Sequence, residues 1–183
     1  DFIQLPVDGD KNNMKWVMIV NINPGCMFGG SATEYFVGDF DGKTFKCDDA
    51  PEVAKFLDYG KDHYAMVTFS NMGRRVVGVP WMSNWQYANV VPTKQFRSAN
   101  SLPRDIELFK DVDGEYYIST TPSPELVALR GKEVKYGQFS VHKKTISMKL
   151  PLNADGLYEI LADINNSNIT NVVLSNADGD RVL

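Results

Sequence analysis

The residues with the most chemical content fall in one short run, PWMSNWQYA (80–88). Trp81 and Trp85, two of only three tryptophans in the 183-residue chain, stand four positions apart. Ser83, Asn84 and Gln86 supply short hydroxyl and amide groups between and beside them. Flat indole faces pack the C–H faces of a sugar ring, and amides hydrogen-bond its hydroxyls. The same cluster would also suit a strand end that packs a core, and composition alone leaves both readings open. FLDYGKDHYA (56–65) adds Asp58 and Tyr59 before a glycine, with Asp62 after it. A carboxylate beside an aromatic hydroxyl can fix a network of hydroxyl donors, whereas an Asx-type turn with a tyrosine packed over it needs no ligand.

Other reactive types lack the company their chemistry requires. Asp39 and Asp41 in GDFDG have an acidic spacing that suits calcium but no third and terminal ligands, so hairpin turn chemistry accounts for them. His63 and His142, the only histidines, have no Cys or His at zinc spacing. No serine sits in a Gly-x-Ser-x-Gly elbow. Gly29-Gly30-Ser31 is too short for a phosphate loop and is expected to be a turn. No metal or cofactor is expected. Cys26 and Cys47 exclude a disulfide-rich scaffold and a four-cysteine zinc site, and are expected as half-buried thiols unless the fold pairs them. Asn165-Asn166-Ser167 and Asn168-Ile169-Thr170 match the N-glycosylation acceptor pattern, which chance produces readily in Asn-rich loops.

The elements that must position these groups are strands. KWVMIVNI (15–22) is a continuous apolar run that predicts a strand buried on both faces. TEYFVGDF (33–40), Asp41-Gly42 and KTFKC predict a hairpin with a tight primed turn. HYAMVTFS (63–70) and RRVVGVPW (74–81) predict a second antiparallel pair. TISMKL (145–150) alternates, and LYEILADI (157–164) alternates so as to bury Tyr158, Ile160, Ala162 and Ile164. Asp-Gly pairs recur at 113–114, 155–156 and 178–179. PEVAKF (51–56) makes one helical turn at most. Many short strands with frequent turns predict an all-β sandwich, barrel or propeller.

Composition bounds the partners. The chain is 43% hydrophobic and 23% charged, a globular balance, and its net charge of −4 without a basic block argues against nucleic acid. No apolar run approaches the roughly 18 residues of a membrane span. DFIQLPVDGD has neither the basic head nor the apolar stretch of a signal peptide. Aromatic and Asn-rich sequence gives way near residue 100 to aliphatic alternation with Lys and Glu. RSANSLPRD (97–105) is therefore the expected domain boundary, dividing 1–103 from 104–183.

Taken in order, NINPG (21–25), YFVGDFDGKTF (35–45), LDYGKDHYA (57–65) followed by TFS, and WMSNWQYANVVPTKQFRSANSLPRDIEL (81–108) resemble glycoside hydrolase family 32, the invertases, levanases and exo-inulinases. The resemblance covers roughly the first 108 residues. It implies a five-bladed β-propeller followed by a β-sandwich. Residues 1 to about 50 would finish the fourth blade, about 53 to 103 would form the fifth, and 104–183 would begin an incomplete sandwich.

The resemblance also implies retaining hydrolysis of terminal β-D-fructosyl bonds in levan, inulin or sucrose, without a cofactor. The family cleaves with an Asp in a WMNDPNG-like motif, an Asp in RDP and a Glu in ECP, and none of these motifs is present here. Arg104-Asp105 is followed by Ile106 and is not the RDP motif. Retention needs two carboxyl groups about 5 Å apart, so the chain is expected to be inactive alone, with its catalytic carboxylates upstream. What remains is a pocket wall: Trp81 or Trp85 against the fructosyl unit, with Asn84 and Asp58 as hydroxyl contacts or as support. The alternative is a non-catalytic carbohydrate-binding protein that kept this wall. Self-association or a complementing fragment would cover open strand edges, and the family implies a secreted or periplasmic location.

Overall fold

The computed structural model describes residues 1–165, 170–176 and 178–181. Strands β1 (Phe2–Val7) and β2 (Asp10–Ile22) are joined by Asp8 and Gly9 alone, with φ angles of 52° and 76°. Two positive φ values match the turn to the right-handed twist of the strands. β3 (Ala32–Phe40) returns along β2, and β4 (Phe45–Cys47) and β5 (Lys55–Phe56) both pair with β3. A second meander follows: β6 (Tyr64–Thr68), β7 (Val77–Met82), β9 (Arg104–Lys110) and β10 (Tyr116–Pro122) pair antiparallel in succession, and the short β8 (Ala99–Asn100) lies along β7. The two meanders join where β1 runs parallel to β9, with Val7 opposite Leu108, so all ten strands form one sheet.

Alternation places Leu5 and Val7 of β1, Val17 and Ile19 of β2, and Ile106 and Leu108 of β9 in one core. β2 and β6 are not ladder neighbours, yet Asn21 ties them. Its side chain accepts from Met66 N at 3.0 Å and donates to Met66 O at 3.2 Å, as a neighbouring strand would.

Several expectations are revised. β2 buries Val17 and Ile19 on one face and leaves the other half-covered at Trp16, Met18 and Val20. The β3–β4 connection is a four-residue loop, because Phe40 pairs with Phe45; Asp41 closes it by accepting from Lys43 N and Thr44 N at 2.8 and 2.7 Å. The first compact unit runs from Asp1 to Ala128, and β9 lies between β10 on one edge and β1 and β7 on the other. Pro124–Leu129 adds a 3-10 turn that apolar periodicity did not announce.

The second compact unit, Leu129–Leu183, is described by itself. TISMKL and LYEILADI are not strands, and Ile146, Met148, Tyr158, Ile160 and Ile164 are exposed. Alternation defines two faces but supplies neither a neighbouring edge nor a cover, and this unit's described residues offer only one bridge, Ser175 to Arg181. Both glycosylation triplets rest on residues outside those described.

Candidate functional site

The site is built where β7 ends. Trp81 is its penultimate residue, and the chain then leaves the sheet through Ser83 and Asn84 into a turn closed by Tyr87 N and Ala88 N donating to Asn84 O. Asn84 has no exposed surface. Its Nδ2 shares two hydrogens among the carbonyls of Gly29, Ser31 and Lys61, at 3.1, 3.2 and 3.0 Å. Its Oδ1 accepts from Gln86 N at 3.0 Å and Ser31 N at 3.4 Å. One amide therefore staples three loops together, and in this arrangement its hydrogen-bonding capacity is spent on backbone. Gly30 makes room for it: a Cβ there, at a φ of 72°, would sit 2.0 Å from Asn84 Oδ1. The Gly29-Gly30-Ser31 turn is thus a docking surface for the tryptophan loop.

Above this staple the two indoles meet with ring centroids 5.1 Å apart, inclined at 50°. Trp81 is half-buried and held at both ends: its Nε1–H donates to Arg97 O at 3.1 Å, and Tyr64 meets it edge-on at 6.2 Å. Ser98, at a φ of 62°, donates from Oγ to Ser83 Oγ at 2.7 Å and shapes the loop that receives the indole N–H. Trp85 is 46% exposed. Two open clefts flank Trp81. One, of about 370 Å³, is lined by Phe96, Arg97, Ser98 and Ala99; the other, of about 430 Å³, by Ala65, Val67, Phe69 and Val79; Trp81 and Asn100 line both.

Asp58 is also engaged. Its Oδ2 accepts from Arg104 Nη1 at 2.8 Å, and its Oδ1 accepts from Gly60 N at 2.7 Å, which is the Asx-type turn. Burial pushes its pKa up, but Arg104 and the Gly60 N–H outweigh burial and hold it below the usual carboxylate range. It is therefore ionised at neutral pH and is not a proton donor there. Asp62 accepts from the Tyr87 hydroxyl; burial and that carboxylate raise the phenol to about 12. His63 is 2% exposed, and neither ring nitrogen has a partner among the described residues. Burial lowers its pKa to about 4, with Arg104 assisting and Asp58 opposing.

The four residues singled out in the sequence thus divide. Trp81 and Trp85 form an accessible aromatic surface, whereas Asn84 and Asp58 brace the loops beneath and beside it. Gly30 and Arg104 brace them, a role that neither the turn reading of Gly29-Gly30-Ser31 nor the Arg104-Asp105 pair announces, although two adjacent glycines are the ordinary sign of a close backbone approach. Among the described residues no cluster of His, Cys, Asp and Glu is arranged to hold a metal, and both cysteines are free, Cys26 buried and Cys47 half-buried.

A family model described as the glycosyl hydrolases family 32 N-terminal domain matches residues 1–121. A levanase of Bacillus subtilis is 41% identical over 89% of this chain, and an extracellular exo-inulinase of Meyerozyma guilliermondii is 50% identical over 58% of it. The chain spans 24% and 20% of those two relatives. A fructofuranosidase from Schwanniomyces occidentalis, solved with fructose, superposes with a TM-score of 0.60 at 42% identity, over 67% of this chain and 24% of that one.

Proposed function

Because the chain belongs to glycosyl hydrolase family 32, we propose that it forms one wall of the fructosyl pocket of a retaining β-fructofuranosidase acting on levan, inulin or sucrose. The observation that carries this reading is Trp81: an indole held by Arg97 O and Tyr64 between two open clefts. A pre-oriented aromatic face binds a sugar ring with little ordering cost. Trp85 extends the same surface, and Asn84 and Asp58 support it from below.

In this proposal the two meanders are the fourth and fifth propeller blades, with β9 and β10 completing the fifth, and the later residues belong to the sandwich. The names of the relatives support the substrate class, and that of the extracellular exo-inulinase supports secretion. The carboxyl pair for retention lies in the motifs this chain does not carry, so the chain alone releases no fructose. Among the described residues β4 has no strand on its outer edge, which makes a second copy or a complementing fragment the expected partner.

The test is a chimera in which these residues replace the corresponding segment of the Bacillus subtilis levanase. Fructose release from levan, inulin and sucrose is expected from the chimera and not from the chain alone. Trp81→Ala in the chimera is expected to lower kcat/KM at least tenfold. A folded chimera indifferent to Trp81→Ala would overturn the wall. A chain that binds fructosides in an inactive chimera would favour a non-catalytic saccharide-binding protein.

A further inference from the structure

Asn100 was not among the residues singled out by sequence, yet among the described residues it alone joins Trp81 in lining both clefts. In the β7–β8 ladder Trp81 lies directly opposite Asn100, and in the β6–β7 ladder it lies opposite Tyr64. Directly opposed residues share a face of the sheet with their Cβ atoms about 5 Å apart. The sheet therefore presents a row of phenol, indole and amide across three adjacent strands. The indole N–H is already committed to Arg97 O, so Trp81 offers its ring surface and no hydrogen bond. Asn100 is exposed, and its amide has no protein partner among the described residues.

We infer that Asn100 is the specificity-determining polar contact of the Trp81 wall, recognising two neighbouring hydroxyls of a neutral saccharide. An amide donates from Nδ2 and accepts at Oδ1, and adjacent hydroxyls offer a matching acceptor and donor. With the sugar's C–H face on the indole, a side chain beside the ring plane meets the hydroxyls at the ring edge. The inference rests on the proposed fructosyl wall and reassigns its hydroxyl recognition: Asn84, the amide nearest the tryptophans in sequence, is buried and spent, while Asn100, 19 positions after Trp81, is free beside it.

The experiment titrates the full chain with methyl β-D-fructofuranoside and with its 3-deoxy and 4-deoxy analogues. Binding is followed by the NMR signals of the Trp81 indole N–H and the Asn100 side-chain amide. Wild type is expected to shift both signals and to bind at least one deoxy analogue roughly tenfold more weakly, the size of a lost hydrogen-bonded pair. Asn100→Leu, at an exposed position, is expected to keep the dispersed spectrum of the folded chain, to bind the parent glycoside roughly tenfold more weakly and to lose discrimination among the three ligands. If Asn100→Leu binds and discriminates like wild type while Trp81→Ala abolishes binding, the Asn100 assignment is overturned and the aromatic wall stands. If the glycosides leave the Trp81 signal of the wild-type chain unmoved, the wall itself fails and this inference fails with it.

Discussion

Residues 104–110 and 145–150 carry nearly the same apolar alternation and meet opposite fates. In β9, Ile106 and Leu108 are 3% and 2% exposed; in TISMKL, Ile146 and Met148 are 38% and 44% exposed. The difference is company. β9 has β10 along one edge and β1 and β7 along the other, and its inward side chains join Val7 and Met66 in one core. The described residues of Leu129–Leu183 give TISMKL no strand partner. Alternation is thus a necessary part of a strand, and pairing is what converts it into burial.

The largest expected effect comes from a loop, which sharpens the comparison by showing that ladders alone do not hold the first unit. Asn84→Ala strands the carbonyls of Gly29, Ser31 and Lys61 and the N–H groups of Ser31 and Gln86. Buried groups without partners are costly, and the expected loss is on the order of 4 kcal/mol. Urea denaturation followed by tryptophan fluorescence measures it. A loss below about 1 kcal/mol would mean that the three loops hold without their staple.

Next in size is a matched pair of truncations. Leu108→Ala leaves a cavity in the core and is expected to cost about 3 kcal/mol. Ile160→Ala, at a residue 48% exposed, is expected to stay within about 0.5 kcal/mol. Amide hydrogen exchange on the unaltered chain gives the same contrast: β2, β3 and β9 protected, 145–150 and 157–164 exchanging rapidly. Equal costs for the two truncations would break the comparison, because Ile160 would then be packed as deeply as Leu108.

A pH series probes the buried side of the comparison. His63 titrates near 6.5 when unfolded and at about 4 when folded. The unfolded chain therefore takes up a proton first as pH falls, and folded stability drops between about pH 6.5 and 4, by roughly 3 kcal/mol in all. The depressed Asp58 adds a loss in the same direction at lower pH, as its pairing with Arg104 is titrated away. Denaturation midpoints at pH 7, 5.5 and 4.5 should fall in that order, and His63→Phe should flatten the slope. An unchanged slope in the variant would place the acid sensitivity elsewhere.

The same contrast explains what could be read from the sequence. β2, β3, β6 and β7 were legible because their apolar residues and Gly-bearing turns are local signals. The β1–β2 hairpin, absent from the sequence expectations, carries its mark in Asp8-Gly9, the two positive-φ residues between its strands. Composition does not register that Leu108 pairs with Val7, 101 positions away. At the site, Trp81 and Trp85 were visible by type. The roles of the amides were not: Asn84 is fixed by a loop 53 residues earlier, and Asn100 gains its place only through strand register.

The smallest effect is expected in Leu129–Leu183. Arg130 Nε and Nη2 reach Glu159 at 2.5 and 2.8 Å, a well-formed forked pair with both side chains 46% exposed. Water and salt screen such a pair, and ordering two long side chains offsets much of its attraction. Burial, by contrast, is what makes the Lys55–Asp49 pair of the first unit depend on its partner, with side chains 7% and 5% exposed. Arg130→Ala should therefore leave the denaturation midpoint where it is, at low salt and in 0.5 M sodium chloride alike. Lys55→Ala, run beside it, should lower the midpoint under both conditions. A salt-insensitive loss in Arg130→Ala would show that Glu159 is shielded from solvent, and the contrast between the two units would then be one of degree.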